Sequence, residues 1–88
     1  MSAPKKEKPI GVVTHFYGHI SVAIVKFNTA VKRGTKVAFR RGDEEYIETL
    51  NSMQFDHKDI DSAKKGQEVG VKVNEKIKEG FEVFEIKE

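Results

Sequence analysis

The amino-acid sequence predicts a small all-β domain: a single six-stranded closed β-barrel with one short helical turn near residues 61–65. Three observations carry this reading. The hexad Lys-x-Gly-x-x-Val occurs three times, as Lys32-Arg33-Gly34-Thr35-Lys36-Val37, Lys64-Lys65-Gly66-Gln67-Glu68-Val69 and Lys78-Glu79-Gly80-Phe81-Glu82-Val83. Glycine reaches positive φ without a Cβ clash and valine suits a pleated, half-buried surface, so each copy reads as a basic turn opening a strand. Val69, Val71 and Val73 alternate with Glu68, Gly70 and Lys72, the period of a strand with one buried face. The second and last strands are apolar on both faces, which favours closure over an open sheet with exposed edges. The hexads are unevenly spaced, so they are turns of one domain and not units of a solenoid.

The elements follow in order. Residues 1–8 are small and charged and read as a disordered basic arm; residues 9–88 are the barrel domain. Pro9 suits the first position of a strand, and residues 10–16 are the first strand. Tyr17-Gly18 is the hairpin turn, with Gly18 supplying the reversal, and residues 20–27 return as the second strand. Residues 36–40 form the third strand. Arg41-Gly42-Asp43-Glu44 is a second hairpin turn, since an adhesion tripeptide has no meaning in this setting. The fourth strand covers residues 45–55, and its apolar phase slips between Leu50 and Met53, as a bulge or corner bend would cause. Asp61 caps a helical turn through Ser62-Ala63-Lys64-Lys65, ended by Gly66. The fifth strand holds the three alternating valines, and residues 81–86 close the domain.

Eighty-eight residues make one domain, and the absence of cysteine removes disulfides and thiolate metal sites from consideration. No apolar run approaches the roughly 20 residues that span a bilayer, and the first residues lack a secretory signal's apolar stretch. A cytoplasmic protein with no membrane partner is expected. The net charge of +2 conceals an imbalance. Through Arg41 the bases are Lys5, Lys6, Lys8, Lys26, Lys32, Arg33, Lys36, Arg40 and Arg41, against Glu7 alone. From Gly42 onward seven lysines face thirteen acids. Such asymmetry suits a polyanion-binding surface, or it dissolves when the strands interleave.

Lys32, Arg33, Lys36, Arg40 and Arg41 form the candidate phosphate-contacting stripe, with Lys36 and Arg40 on one face of a strand. The competing reading pairs the stripe with Glu44, Glu45 and Glu48 of the next strand. His15, Tyr17 and His19 at the first hairpin tip are candidates for stacking on unpaired bases; alternatively the aromatics pack inward and the histidines stay solvated. Two histidines lack the further ligands zinc requires, so no metal is expected. No nucleophile elbow and no general-acid pair is present, and the chain is read as not an enzyme.

Ala30-Val31-Lys32-Arg33-Gly34-Thr35-Lys36-Val37-Ala38-Phe39 resembles a segment in domain II of translational GTPases such as elongation factor Tu. The run Ala63-Lys64-Lys65-Gly66-Gln67-Glu68-Val69-Gly70-Val71-Lys72-Val73, with the preceding Ser52-Met53-Gln54 region, is similar to the same family, as is Lys78-Glu79-Gly80-Phe81-Glu82-Val83. His15-Phe16-Tyr17-Gly18-His19 departs from the family pattern and is closer to small free-standing elongation factor-like proteins. The resemblance implies a Greek-key-type barrel and a translation-related role. No Gly-x-x-x-x-Gly-Lys-Ser/Thr occurs, so no nucleotide is expected, and no Arg-x-Tyr-Ser/Thr is present to hold a flavin, so no cofactor is expected. The function expected is a non-catalytic barrel that binds RNA, a ribonucleoprotein or the ribosome. The alternative is an accessory module that docks onto a partner protein.

Overall fold

The structure, a computed structural model, describes residues 9–86. The basic arm assigned to residues 1–8 lies outside the described residues. All regular structure is β: β1 (Gly11–Tyr17), β2 (Val22–Phe27), β3 (Val31–Lys32), β4 (Lys36–Arg41), β5 (Glu44–Thr49), β6 (Met53–Phe55), β7 (Lys58–Asp59), β8 (Ser62–Ala63), β9 (Glu68–Lys72) and β10 (Glu82–Glu85). Eight of these form one antiparallel sheet in the order β5-β4-β10-β1-β2-β9-β6-β7, and β3 pairs with β8 in a sheet of two. Among the described residues no helix is long and apolar enough to cross a membrane.

The three hexads share one construction. Gly34, Gly66 and Gly80 take φ of 93°, 87° and 93°. The residue after each glycine donates its N–H to the lysine carbonyl three back: Thr35 to Lys32, Gln67 to Lys64 and Phe81 to Lys78, at 3.2, 3.1 and 3.4 Å. A positive φ at the third position alone makes each a type II turn. Each turn then clasps a distant strand end through two backbone bonds. Gly34 N–H donates to the Leu50 carbonyl at 2.7 Å, and Leu50 N–H returns to Thr35 at 2.9 Å. Gly66 and Gln67 hold Phe27 in the same way, at 2.7 and 3.1 Å, and Gly80 and Phe81 hold Val13, at 2.9 and 2.8 Å. Leu50, Phe27 and Val13 are buried, as are the hexads' closing valines Val37, Val69 and Val83. The core of Phe27, Phe39, Phe81, Leu50, Met53, Ile77 and the valines gathers between these clasps.

Several expectations are corrected. The six strands of a closed barrel are ten, and the eight-stranded sheet is open: β5 and β7 end the order and share no ladder among the described residues. Its edge at β5 is managed by a side chain. Glu48, the charged side chain buried among the described residues at 6% exposure, accepts the N–H groups of Asn74 and Glu75 at 2.8 and 3.1 Å. The slip after Leu50 is a bend: β5 pairs with β4, whereas β6 pairs with β9 and β7. The helical turn at 61–65 is absent. Ser62 and Ala63 pair with Lys32 and Val31 instead, because one turn of helix fixes several dihedrals for one hydrogen bond, while pairing seats Ala63 in the core. At the first hairpin the left-handed residue is Ser21, at φ 56°, and not Gly18.

The register of β1 shifts between Val13 and His15, leaving Thr14 as the extra residue. This bulge reverses the inward–outward phase. Phe16 consequently packs on the core and His15 and Tyr17 point outward.

Two stability outcomes follow. A Cβ at Gly66 meets nothing within 4 Å, so Gly66→Ala isolates the left-handed penalty and lowers stability by about 1–2 kcal/mol. Urea denaturation would register this as a lower midpoint at unchanged slope. Gly18→Ala, whose Cβ sits at an ordinary 3.5 Å from Phe16, changes the midpoint little. Glu48→Ala leaves two amides without their acceptor and costs about 1–3 kcal/mol; hydrogen exchange at Asn74 and Glu75 speeds up first.

Candidate functional site

The structure divides the sequence-derived site. Lys32 and Arg33 lie at the end of β3, where Arg33 reaches Asp61 at 3.1 Å. Lys36 opens β4 opposite Thr49, and Arg40 and Arg41 close it opposite Glu45 and Glu44. Arg40 binds Glu45 at 2.6 Å and lies 4.9 Å over the Phe84 ring. Asp61 thus pairs with Arg33 and Glu45 of the neighbouring strand with Arg40, while Glu48 turns to the core side. A guanidinium already holding a carboxylate and an aromatic face gains less from a phosphate.

His15 and Tyr17 stack on the outer face, ring centroids 6.4 Å apart, and His15 Nδ1 lies 3.3 Å from Glu79. His19 is exposed in the hairpin loop. β10 lies between β1 and β4 in the sheet, so one strand stands between the hairpin and the basic stripe. Among the described residues no group of three or more His, Asp or Glu could hold a metal ion.

A different surface is built more completely. On the outer face of β1, β2, β9 and β6, a cleft of about 300 Å³ is lined by Tyr17, Ile20, Val22, Ile24 and Gly70, with Gln54, Asp56, His57 and Glu68 around it. Gly70 adds no side chain to its floor: a Cβ there would stand at ordinary contact distance, 3.4 Å from Val22 Cγ1 and 3.6 Å from Ile24 Cδ1. In the ladder Gly70 faces Ile24 on one side and Gln54 on the other. Tyr17 and Ile20 are 45% and 51% exposed, too much for core residues of their size.

The rim is strained. Asp56 and His57 are the two central residues of the β6–β7 hairpin, between the paired Phe55 and Lys58, with φ of 56° and 65°. A two-residue loop with positive φ at both positions is a type I′ turn, which favours Asn-Gly. Ser21, between Ile20 and Val22, is the remaining non-glycine residue with positive φ among those described. Asp56 and His57 line the cleft, whereas Ser21 lines a separate pocket with Asn74 and Ile77. Apart from Tyr17, sequence reasoning passed over these residues. The available signal is the doubly apolar β2, which the sequence alone assigns to barrel closure.

Comparison with known proteins then bears on this geometry. No protein-family model matches the chain. Over 80 residues, 90% of its length, the chain is 39% identical to the uncharacterized protease MJ0090 of Methanocaldococcus jannaschii. It spans only about a fifth (20%) of that relative. Crystal structures of the C-terminal domain of a putative U32 peptidase from Geobacillus thermoleovorans superpose on it closely. One gives a TM-score of 0.83 at 17% identity, covering 99% of this chain and all (100%) of that one. The selenomethionine variant gives 0.81 at 18%, covering 88% and 98%. The chain has the fold of that domain.

This overturns the translation-factor resemblance, and with it the expectation of an RNA-binding, translation-related barrel. The physical reason lies in the hexads. Their glycines are required by type II turns, and the apolar residue three positions on is required by the core. Any small antiparallel domain clasped in this way writes the same letters, so they record turn chemistry and not kinship.

The strained hairpin gives a direct test. His57→Gly relieves one left-handed non-glycine residue and raises stability by about 0.5–1 kcal/mol after glycine's entropic cost, measurable by chemical denaturation.

Proposed function

We propose that this chain is a non-catalytic accessory domain of the kind carried by U32 peptidases, docking onto a catalytic protein partner. The observation that carries the reading is the 39% identity over 80 residues to one fifth of a protease. A segment of that size, with the fold of a separately crystallised C-terminal domain, is an appended unit and leaves most of the relative's length for catalysis. The outer-face cleft supports docking, since apolar side chains at this exposure mark interaction surfaces on small domains. A cysteine-free chain suits the reducing cytoplasm, which we propose as its compartment.

The test is a chimera in which this chain replaces the matched segment of the M. jannaschii protease. Amide hydrogen exchange is compared between the chimera and the isolated chain. A docked accessory domain gains protection of about tenfold or more over one contiguous set of surface amides. Identical exchange in both settings would show a domain tethered without docking, and the proposal fails.

A further inference from the structure

We infer that the outer-face cleft is the docking site, and that it receives a protein segment presenting a large apolar side chain flanked by lysine or arginine. The source of that segment, the catalytic partner, rests on the accessory-domain reading; the chemistry of the cleft does not. Three independent features of the molecule converge here. The first is the apolar lining, Tyr17, Ile20, Val22 and Ile24, arranged around the bare backbone of Gly70. A glycine in the middle of a ladder leaves the backbone open to close approach by another group.

The second is charge. The charged groups lining the cleft are Asp56 and Glu68, with His57 beside them, and no lysine or arginine lines it. Neither acid makes an ion pair among the described residues. Lys26 stands opposite Glu68 in the ladder, yet no bridge joins them. Lys72, opposite Val22 on the same face, lies outside the lining. Two unpaired carboxylates beside an apolar surface select a basic-flanked partner and disfavour an acidic one, the arrangement by which interfaces acquire specificity.

The third is strain. Asp56 and His57, both in the lining of the cleft, hold left-handed backbone without glycine. Such conformations cost stability and persist where surrounding structure holds them. Here they fix the position of Asp56, the acidic end of the proposed contact. A rigid, preformed cleft loses less entropy on binding.

The experiment titrates the 88-residue chain with two synthetic octapeptides. In one, Phe-Leu is flanked by lysines; in the other, by glutamates. Heteronuclear NMR follows the site and the affinity. The lysine peptide is expected to shift the amides of Tyr17, Ile20, Ile24, His57 and Gly70, and to bind about fivefold or more tightly than the glutamate peptide at low salt. Ile20→Asp and Glu68→Lys, both at exposed positions, are each expected to weaken it by about fivefold or more. Ile47→Asp on β5, at the same 51% exposure as Ile20, leaves it unchanged.

Equal binding of the two peptides, equal loss in the Ile47 variant, or no binding overturns the proposal. So does a dimer of the chain alone that Ile20→Asp disperses, which would make a second copy the occupant. The chimera separates this from the accessory-domain reading. Protection gained away from the cleft removes the site and keeps the accessory role. Lysine-peptide binding without protection in the chimera keeps the site and removes that role.

Discussion

Each of the three glycine turns joins its own strand opening to a distant core residue by a reciprocal pair of backbone bonds, and the rest of the fold hangs on those joints. Leu50, Phe27 and Val13 are gripped at both their N–H and their carbonyl, so none can slide without exposing two polar groups. A one-residue slip would also turn its side chain out of the core. The clasps thus fix register where short strands fix it poorly: β3, β7 and β8 have two residues each. They also explain why one hydrogen-bonding scheme serves a chain without repeats. Each clasp needs only a glycine at the left-handed position, a valine three residues on, and a buried backbone partner.

With register secured by backbone, the side chains of the outer face are released from structural duty. The bulge at Thr14 turns His15 and Tyr17 outward, and the loop through Ser21 carries Ile20 to the surface beside them. Glycine at position 70 then leaves that surface hollow where Ile24 and Gln54 face each other across it. An 88-residue domain has little apolar area to spare. Leaving Ile20 half-exposed while two acids stand nearby unpaired runs against both stability and economy. The arrangement makes physical sense as a surface that becomes buried and neutralised on contact.

Much of the fold was legible because strand alternation is a local signal. The valines of β9, the bend after Leu50 and the turns at Gly34, Gly66 and Gly80 could all be read from neighbouring residues. What failed was non-local or conformationally degenerate. Ser62 and Ala63 look helical in isolation; only Val31, far away in sequence, makes a strand of them. Gly18 looks like the reversal because glycine permits it, whereas Ser21 performs it. Thr14 carries no mark of a bulge. Edge strand β5 gives no sign that the sheet stays open, because the acceptor for the amides of Asn74 and Glu75 is the carboxylate of Glu48 and not a strand. At the candidate site, Asp56 suits the first position of a type I′ turn, and His57 in the place usual for glycine hid it.

The doubly apolar β2 is the instructive case. Outward Val22 and Ile24 say only that this face avoids water; they do not say what covers it. Closure of a barrel needs no second chain, so it is the economical inference from one sequence. The open order of strands removes that cover, and within the basic stripe Arg33 and Arg40 already hold Asp61 and Glu45. At the outer-face cleft the carboxylates of Asp56 and Glu68 make no ion pair among the described residues, beside the partly exposed apolar side chains that line it. A partner that satisfies both must be apolar and basic at once. A nucleic acid, with its phosphates, would meet like charge at this cleft, whereas a protein surface can supply the hydrophobic group and its flanking cations together.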